Sequence, residues 1–200
     1  MEIVSLWSDP AIVSALRRGD RTGFDHAYSR YNSRIHRFLV RLVRRADVAD
    51  DLVQETWMAL ARSGAGLRED TDLAAWLFTV ARNEARSHRR WSILDVSRFV
   101  AMRDDAHEHH ASMAAGPDLE TEAGAAAARL ELALSQLPEA QREVLLLIAI
   151  EGLTNEQVAN VLDLAPEAVR QRLSRARAAL ADRLAALEKP RPMLVPRGTS

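Results

Sequence analysis

The chain contains no cysteine, which excludes disulfides, thiolate metal sites and a thiol redox switch within it. Long apolar runs are also missing. The longest, Val144 to Ile150, has seven residues, against about 20 for a bilayer-spanning helix. The opening MEIVSLWSDP has neither a basic start nor an apolar core of signal-peptide length. These absences predict a soluble, cytoplasmic protein. No sign of charge dominates: Lys+Arg is 27 and Asp+Glu is 28, a net charge of −1. Whole-chain charge is therefore silent about a nucleic-acid partner, and any such signal must lie in its distribution. No stretch alternates apolar and polar residues over strand length, so the fold class expected is all-α. No Walker loop, GxSxG, HExxH or cysteine nucleophile is present. The scattered acids sit at helix starts, where capping explains them. An enzyme is not expected, and neither is a cofactor.

What is present divides into blocks. Residues 1–92 carry 15 basic and 12 acidic side chains, residues 93–128 carry 2 and 7, and residues 129–188 carry 7 and 9. Hydrophobic residues make up 48% of the 200, enough for two small cores. The reading is two helical domains, 1–92 and 129–188, joined by a flexible acidic linker over 93–128. The last residues, 189–200, form a tail whose LVPRGTS resembles a vector-derived protease site, and they are set aside. In the first block, helices are predicted from Pro10 to Arg18, Thr22 to Arg44, Asp47 to Arg62 and Asp72 to Trp91. In the second they are predicted over 129–136, 138–150, 154–162 and 166–187.

The sharpest signal is LTNEQVANVLDLAPEAVRQRLSRARAAL, residues 153–180. Thr154 and Gln157 have capping-box spacing. Asp163-Leu164-Ala165 breaks the pattern, and Pro166 suits the first turn of a new helix. Two helices about a three-residue turn have helix-turn-helix spacing. At about 100° per residue, Val169, Leu173, Ala176 and Leu180 form one inward stripe. Gln171, Ser174, Arg175 and Ala178 lie opposite, with Glu167 a turn earlier. Arg170 and Arg177 fall on one flank and Arg172 on the other. Outward polar side chains reach base edges, and flanking guanidiniums hold phosphates. A solvated basic helix face is the plainer alternative for the arginines alone.

Two further faces stand out. On the fourth helix Leu73, Trp76, Leu77 and Val80 form the expected buried stripe. Arg82, Arg86 and Arg89 share the other side, with Arg90 beside them and Asn83 on the flank. Such a row suits a nucleic-acid backbone, or it is simply solvated. On the third helix Leu52, Thr56, Ala59 and Leu60 are expected inside. Asp50, Gln54 and Trp57 are expected outside, with Asp51, Glu55 and Met58 at the sides. An outward Trp and Met among acids suggests a protein-binding face; the alternative is that both fold back onto a neighbouring helix. His107, Glu108, His109 and His110 lack helical ligand spacing, so no metal site is expected.

These residues resemble the extracytoplasmic-function sigma factors, the minimal two-domain class of bacterial transcription initiation factors. DLVQETWMAL (51–60) and AWLFTVARNEARSHRRW (75–91) resemble sigma region 2. LSQLPEAQREVLLLIAIEGLTNEQVANVL (134–162) and APEAVRQRLSRARAAL (165–180) resemble region 4. The resemblance implies binding to core RNA polymerase at the β′ clamp helices and β flap, recognition of promoter DNA, control by an anti-sigma factor, and no membrane insertion. Asp51, Gln54 and Glu55, with Trp57 and Met58 beside them, match the polymerase-binding positions. Arg82, Asn83, Arg86, Arg89 and Arg90 match the element that melts and reads the −10 sequence. Glu167, Arg170, Gln171, Arg172, Ser174, Arg175 and Arg177 match the helix lying in the −35 major groove. From Asp104 to Glu122 there are six acids and no Arg or Lys, which suits a strand occupying the polymerase's basic RNA-exit path. Phe78, Thr79, Asp163 and Ala165 depart from the commoner pattern, as does the loop SGAGLREDT (63–71), which in the family contributes to −10 reading.

Two other readings use the same residues. A sigma-like decoy that captures an anti-sigma factor should have lost its DNA-contacting arginines, and these are retained. A stand-alone helix-turn-helix regulator leaves the region 2 motifs unexplained.

Overall fold

The computed structural model describes residues 7–100 and 121–188, with side chains through Trp91 in the first stretch. Among the described residues there is no strand. The first domain contains α1 (Asp9–Arg17), α2 (Arg21–Val43), α3 (Ala46–Ser63), a 3₁₀ turn (Gly64–Gly66) and α4 (Leu73–Val100). The second contains α5 (Glu122–Ser135), α6 (Glu139–Leu145) running into a π-helical turn (Leu146–Ile150), α7 (Asn155–Leu162) and α8 (Pro166–Glu188).

Local chemistry sets the helix limits. Pro10 lies in the first turn of α1, where its missing N–H costs nothing. Asp20 caps α2 by accepting the Thr22 amide at 2.9 Å, a bond that holds its carboxyl below the usual range. The two helices then fold back tightly. A Cβ on Gly23 would stand 2.8 Å from the Leu16 amide nitrogen, so only glycine permits this approach. Arg44 ends α2 in the left-handed conformation, with φ of +62°.

In the first domain the core brings together Ile12 and Leu16 of α1, Ile35, Phe38 and Leu39 of α2, Leu52 and Leu60 of α3, and Leu73, Leu77 and Phe78 of α4. The rings of Phe38 and Phe78 meet edge-on at 5.4 Å. Below them, Asp9 accepts from Arg30 at 2.5 Å and from the Tyr31 hydroxyl. Burial and this carboxylate push the Tyr31 phenol well above its ordinary range. The same core runs on into the second domain through Leu134, Leu137, Val144, Leu146, Leu147, Leu153, Val158, Leu162, Val169 and Leu173. Each large side chain fully withdrawn from water contributes roughly 1.5–3 kcal/mol.

Helices cover both ends of the stretch expected as a linker, 93–128. Helix α4 continues to Val100, since no Gly or Pro interrupts residues 91–100. Helix α5 begins at Glu122, where Thr121 accepts the Gly124 amide at 3.0 Å and four alanines follow. The histidines 107, 109 and 110, most of the acids between Asp104 and Glu122, and the tail 189–200 lie outside the described residues. No described helix is long and apolar enough to cross a membrane.

Candidate nucleic-acid and protein interfaces

The helix-turn-helix is built as its sequence predicts. The Thr154 hydroxyl accepts the Gln157 amide at 3.2 Å, and the Gln157 side chain accepts the Thr154 amide at 2.8 Å. This capping box starts α7. Asp163 ends it in the left-handed conformation, φ +54°, which a short polar side chain tolerates better than most. The Leu164 amide returns to the Ala159 carbonyl at 2.9 Å, and α8 then begins at Pro166. Val169, Leu173 and Ala176 are buried against α6 and α7. Glu167, Arg170, Gln171, Ser174, Arg175 and Arg177 are exposed. Arg170 pairs with Glu167 along the helix surface. Arg172 differs: it is half-buried and lines a cleft between the two domains.

On α4 the buried surface is wider than the predicted stripe. Leu73 and Leu77 are fully buried, but Trp76 and Val80 are only partly so. Ala74, Phe78, Ala81 and Ala85 are buried as well, because α4 lies between the core of the first domain and α7. The expected exposed arginine row is therefore corrected at one position. Arg82 is buried, 7% exposed, with Nε 2.6 Å from Glu143 Oε1 on α6 and Nη1 3.3 Å from the Val161 carbonyl. Asn83, Arg86, Arg89 and Arg90 are exposed. Arg89 pairs with Glu139.

On α3, Asp51, Gln54, Glu55 and Met58 are exposed, as expected. Trp57 is not. It is only 6% exposed, because its indole N–H donates to Asn32 Oδ1 at 2.9 Å and its ring packs on Phe24 and Tyr28 of α2. Trp57 is thus the floor of a groove between α2 and α3 rather than an outward knob. Tyr28, Val53, Gln54 and Met58 line its walls.

Comparison with known proteins follows this geometry. Residues 27–91 match the family Sigma-70 region 2, and residues 127–180 match the family Sigma-70, region 4. The RNA polymerase sigma-H factor of Pseudomonas aeruginosa is 30% identical over 177 residues, 86% of this chain and 91% of that protein. The ECF RNA polymerase sigma factor EcfG of Rhodopseudomonas palustris is 33% identical over 147 residues, 72% of this chain and 75% of that one. This chain is an extracytoplasmic-function sigma factor. The sigma factor RpoE of Bartonella quintana, solved in complex with the anti-sigma factor NepR, superposes with a TM-score of 0.65 at 27% identity, over 83% of this chain and 98% of that one.

In this sigma factor the region 2 match runs from α2 into α4 and the region 4 match from α5 into α8, and besides Arg82 and Arg89 the two domains meet through residues the sequence did not single out. Arg34 Nε lies 3.1 Å from Glu151 Oε2, while its Nη2 donates to the Glu151 carbonyl at 2.5 Å. The same guanidinium sits over the rings of Tyr31 and Phe78. Burial pushes the Glu151 carboxyl up, with Arg34 opposing. Arg142, buried, donates to the carbonyls of Leu42 and Ser135, both at 3.2 Å, and so caps the ends of α2 and α5. Desolvation lowers its affinity for the proton. Arg142 and Glu151 both fall within the QREV…EG segment, and their partners Leu42 and Arg34 come from the other domain. Among the described residues there is no cluster of metal-ligating side chains.

Proposed function

We propose that this sigma factor divides its work among three named faces. Asp51, Gln54, Glu55 and Met58 dock on the β′ clamp helices, with Trp57 buried beneath as the packing support of that face. Asn83, Arg86, Arg89, Arg90 and, once uncovered, Arg82 hold and read the melted −10 strand. Glu167, Gln171, Ser174 and Arg175 read the −35 major groove, while Arg170, Arg172 and Arg177 hold its phosphates. Region 4 also engages the β flap. The factor works in the cytoplasm, and an anti-sigma protein holds it inactive by covering polymerase-binding faces. The solved relative bound to NepR supports that last point.

The observation that carries the reading is α8. Three buried residues fix it on the helix-turn-helix, and Glu167, Arg170, Gln171, Ser174, Arg175 and Arg177 are exposed along its outer side. A major groove about 12 Å wide admits such a helix, and its arginine forks match guanine edges. The test is promoter selection from a random DNA library by bacterial core polymerase reconstituted with this chain. Two spaced elements should emerge. Arg175→Ala should relax the upstream one and Asn83→Ala the downstream one. A single selected element would point to a stand-alone helix-turn-helix regulator, and no selection at all to a decoy.

A further inference from the structure

Among the described residues, four ion pairs of one polarity join region 2 to region 4. Arg34 meets Glu151 at 3.1 Å, Arg41 meets Glu131 at 2.7 Å, Arg82 meets Glu143 at 2.6 Å, and Arg89 meets Glu139. Every cation belongs to region 2 and every acid to region 4. A further hydrogen bond reinforces them: the Gln157 side-chain amide of α7 donates to Asp72 Oδ2 at 2.7 Å, just before the start of α4.

Two of these pairs involve arginines assigned above to the −10 strand. A guanidinium binds a carboxylate and a phosphate through the same forked geometry. Arg82 cannot serve both at once, because its Nε and Nη1 are bound to Glu143 and the Val161 carbonyl and α6 and α7 cover it. Arg82 and Glu143 side chains are 9% and 7% exposed, so a DNA strand cannot reach this site by side-chain motion alone. Removing either partner would strand a buried charge. Exchanging the carboxylate for a phosphate leaves none stranded. Arg86 and Arg172 line the same cleft and keep it positive.

We propose that Glu139 and Glu143 of α6 are internal stand-ins for promoter phosphates, so that the free sigma factor is closed and its −10 face is blocked until α6 withdraws. This rests on the assignment of Arg82 and Arg89 to −10 DNA. The block is selective: Arg170, Arg175 and Arg177 stay exposed in the closed form, so the −35 face remains open.

The chain lacks cysteine, so Ser63→Cys with Ala181→Cys gives one clean dye pair across the two domains. Energy transfer is measured in the free protein, together with binding to a single-stranded non-template oligonucleotide carrying the −10 element that the holoenzyme selects. The combined variant Glu139→Gln, Glu143→Gln should lower transfer and tighten binding to that strand by about tenfold or more, since apparent affinity scales with the open fraction. Glu139→Lys alone, at a partly exposed position that does not support the core, should move both readings the same way. Affinity of the polymerase-bound factor should not change.

If transfer and strand binding both stay put, or if the domains open without tighter strand binding, the inference is overturned. Holoenzyme carrying Arg89→Ala separates that failure from failure of the assignment beneath it. Loss of promoter opening keeps the assignment standing while the inference falls. Wild-type opening by Arg89→Ala and Asn83→Ala removes the assignment and the inference together.

Discussion

Replacing Arg175 by alanine tests whether α8 separates reading from holding. Arg175 projects away from the Val169–Leu173–Ala176 stripe, and Arg170 and Arg177 project from one flank. All three are exposed, so truncation leaves the region 4 core intact and any effect belongs to DNA. A forked arginine contact to guanine is worth about 1–3 kcal/mol of discrimination. Arg175→Ala should therefore lose roughly 5- to 160-fold affinity on the best −35 sequence, and lose preference at one position of it. A phosphate contact behaves otherwise. Arg170→Ala and Arg177→Ala should each weaken all sequences alike and reduce the slope of log K against log salt by about 0.9. The assay is fluorescence anisotropy of −35 duplexes from about 50 to 200 mM salt, which spans the range where counterion release dominates. The Arg170 arm needs one control, Glu167→Ala, because Glu167 pairs with Arg170 in the free protein. Identical specificity and salt profiles for all three arginine variants would refute the division.

Three stability predictions accompany it. Thr154→Ala removes the acceptor for the Gln157 amide and should cost region 4 about 1 kcal/mol, read by urea unfolding, with promoter preference unchanged. Phe78→Ala opens a cavity beside the Phe38 ring and beneath the Arg34 guanidinium and should cost about 3–5 kcal/mol; a loss below 1 kcal/mol would show that the site collapses freely. Glu151 gives a pH signature. Burial raises its carboxyl above the ordinary 4.5 in the folded protein, so the folded form holds this proton more tightly than the unfolded chain does. That contribution is full below pH 4.5 and is lost as pH rises through the raised value. The stability of wild type relative to Glu151→Gln should accordingly increase as pH falls toward 4.5, and a pH-independent difference would contradict the assignment.

The parts of this molecule legible in its sequence are those decided within one or two helices. The capping box at Thr154, the Asp163 turn and the Val169–Leu173–Ala176 stripe follow from spacing alone, because the residues that fix them are neighbours in the chain. The polar face of α3 was legible for the same reason. Trp57 was legible only as two alternatives, outward or folded back: the choice depends on Phe24, Tyr28 and Asn32 of α2, which lie 25 to 33 residues away and whose approach no periodicity encodes. Arg82 is the larger lesson. On α4 alone it sits with Arg86 and Arg89 on a polar side, and only the arrival of α6 and α7 buries it. The inward roles of Arg142 and Glu151 were hidden likewise, since each completes a contact that spans the two domains. The reach of α4 to Val100 was missed because composition drew the boundary at the acidic shift, although no Gly or Pro breaks the helix over 91–100.

The most direct measurement is competition for bacterial core RNA polymerase against a primary sigma factor, because it needs no knowledge of the promoter. The account predicts mutually exclusive binding, weakened by Gln54→Ala with Glu55→Ala on the exposed face of α3 and unaffected by Thr154→Ala. A folded, monodisperse sample that leaves the primary sigma factor undisplaced at saturating concentration would contradict it.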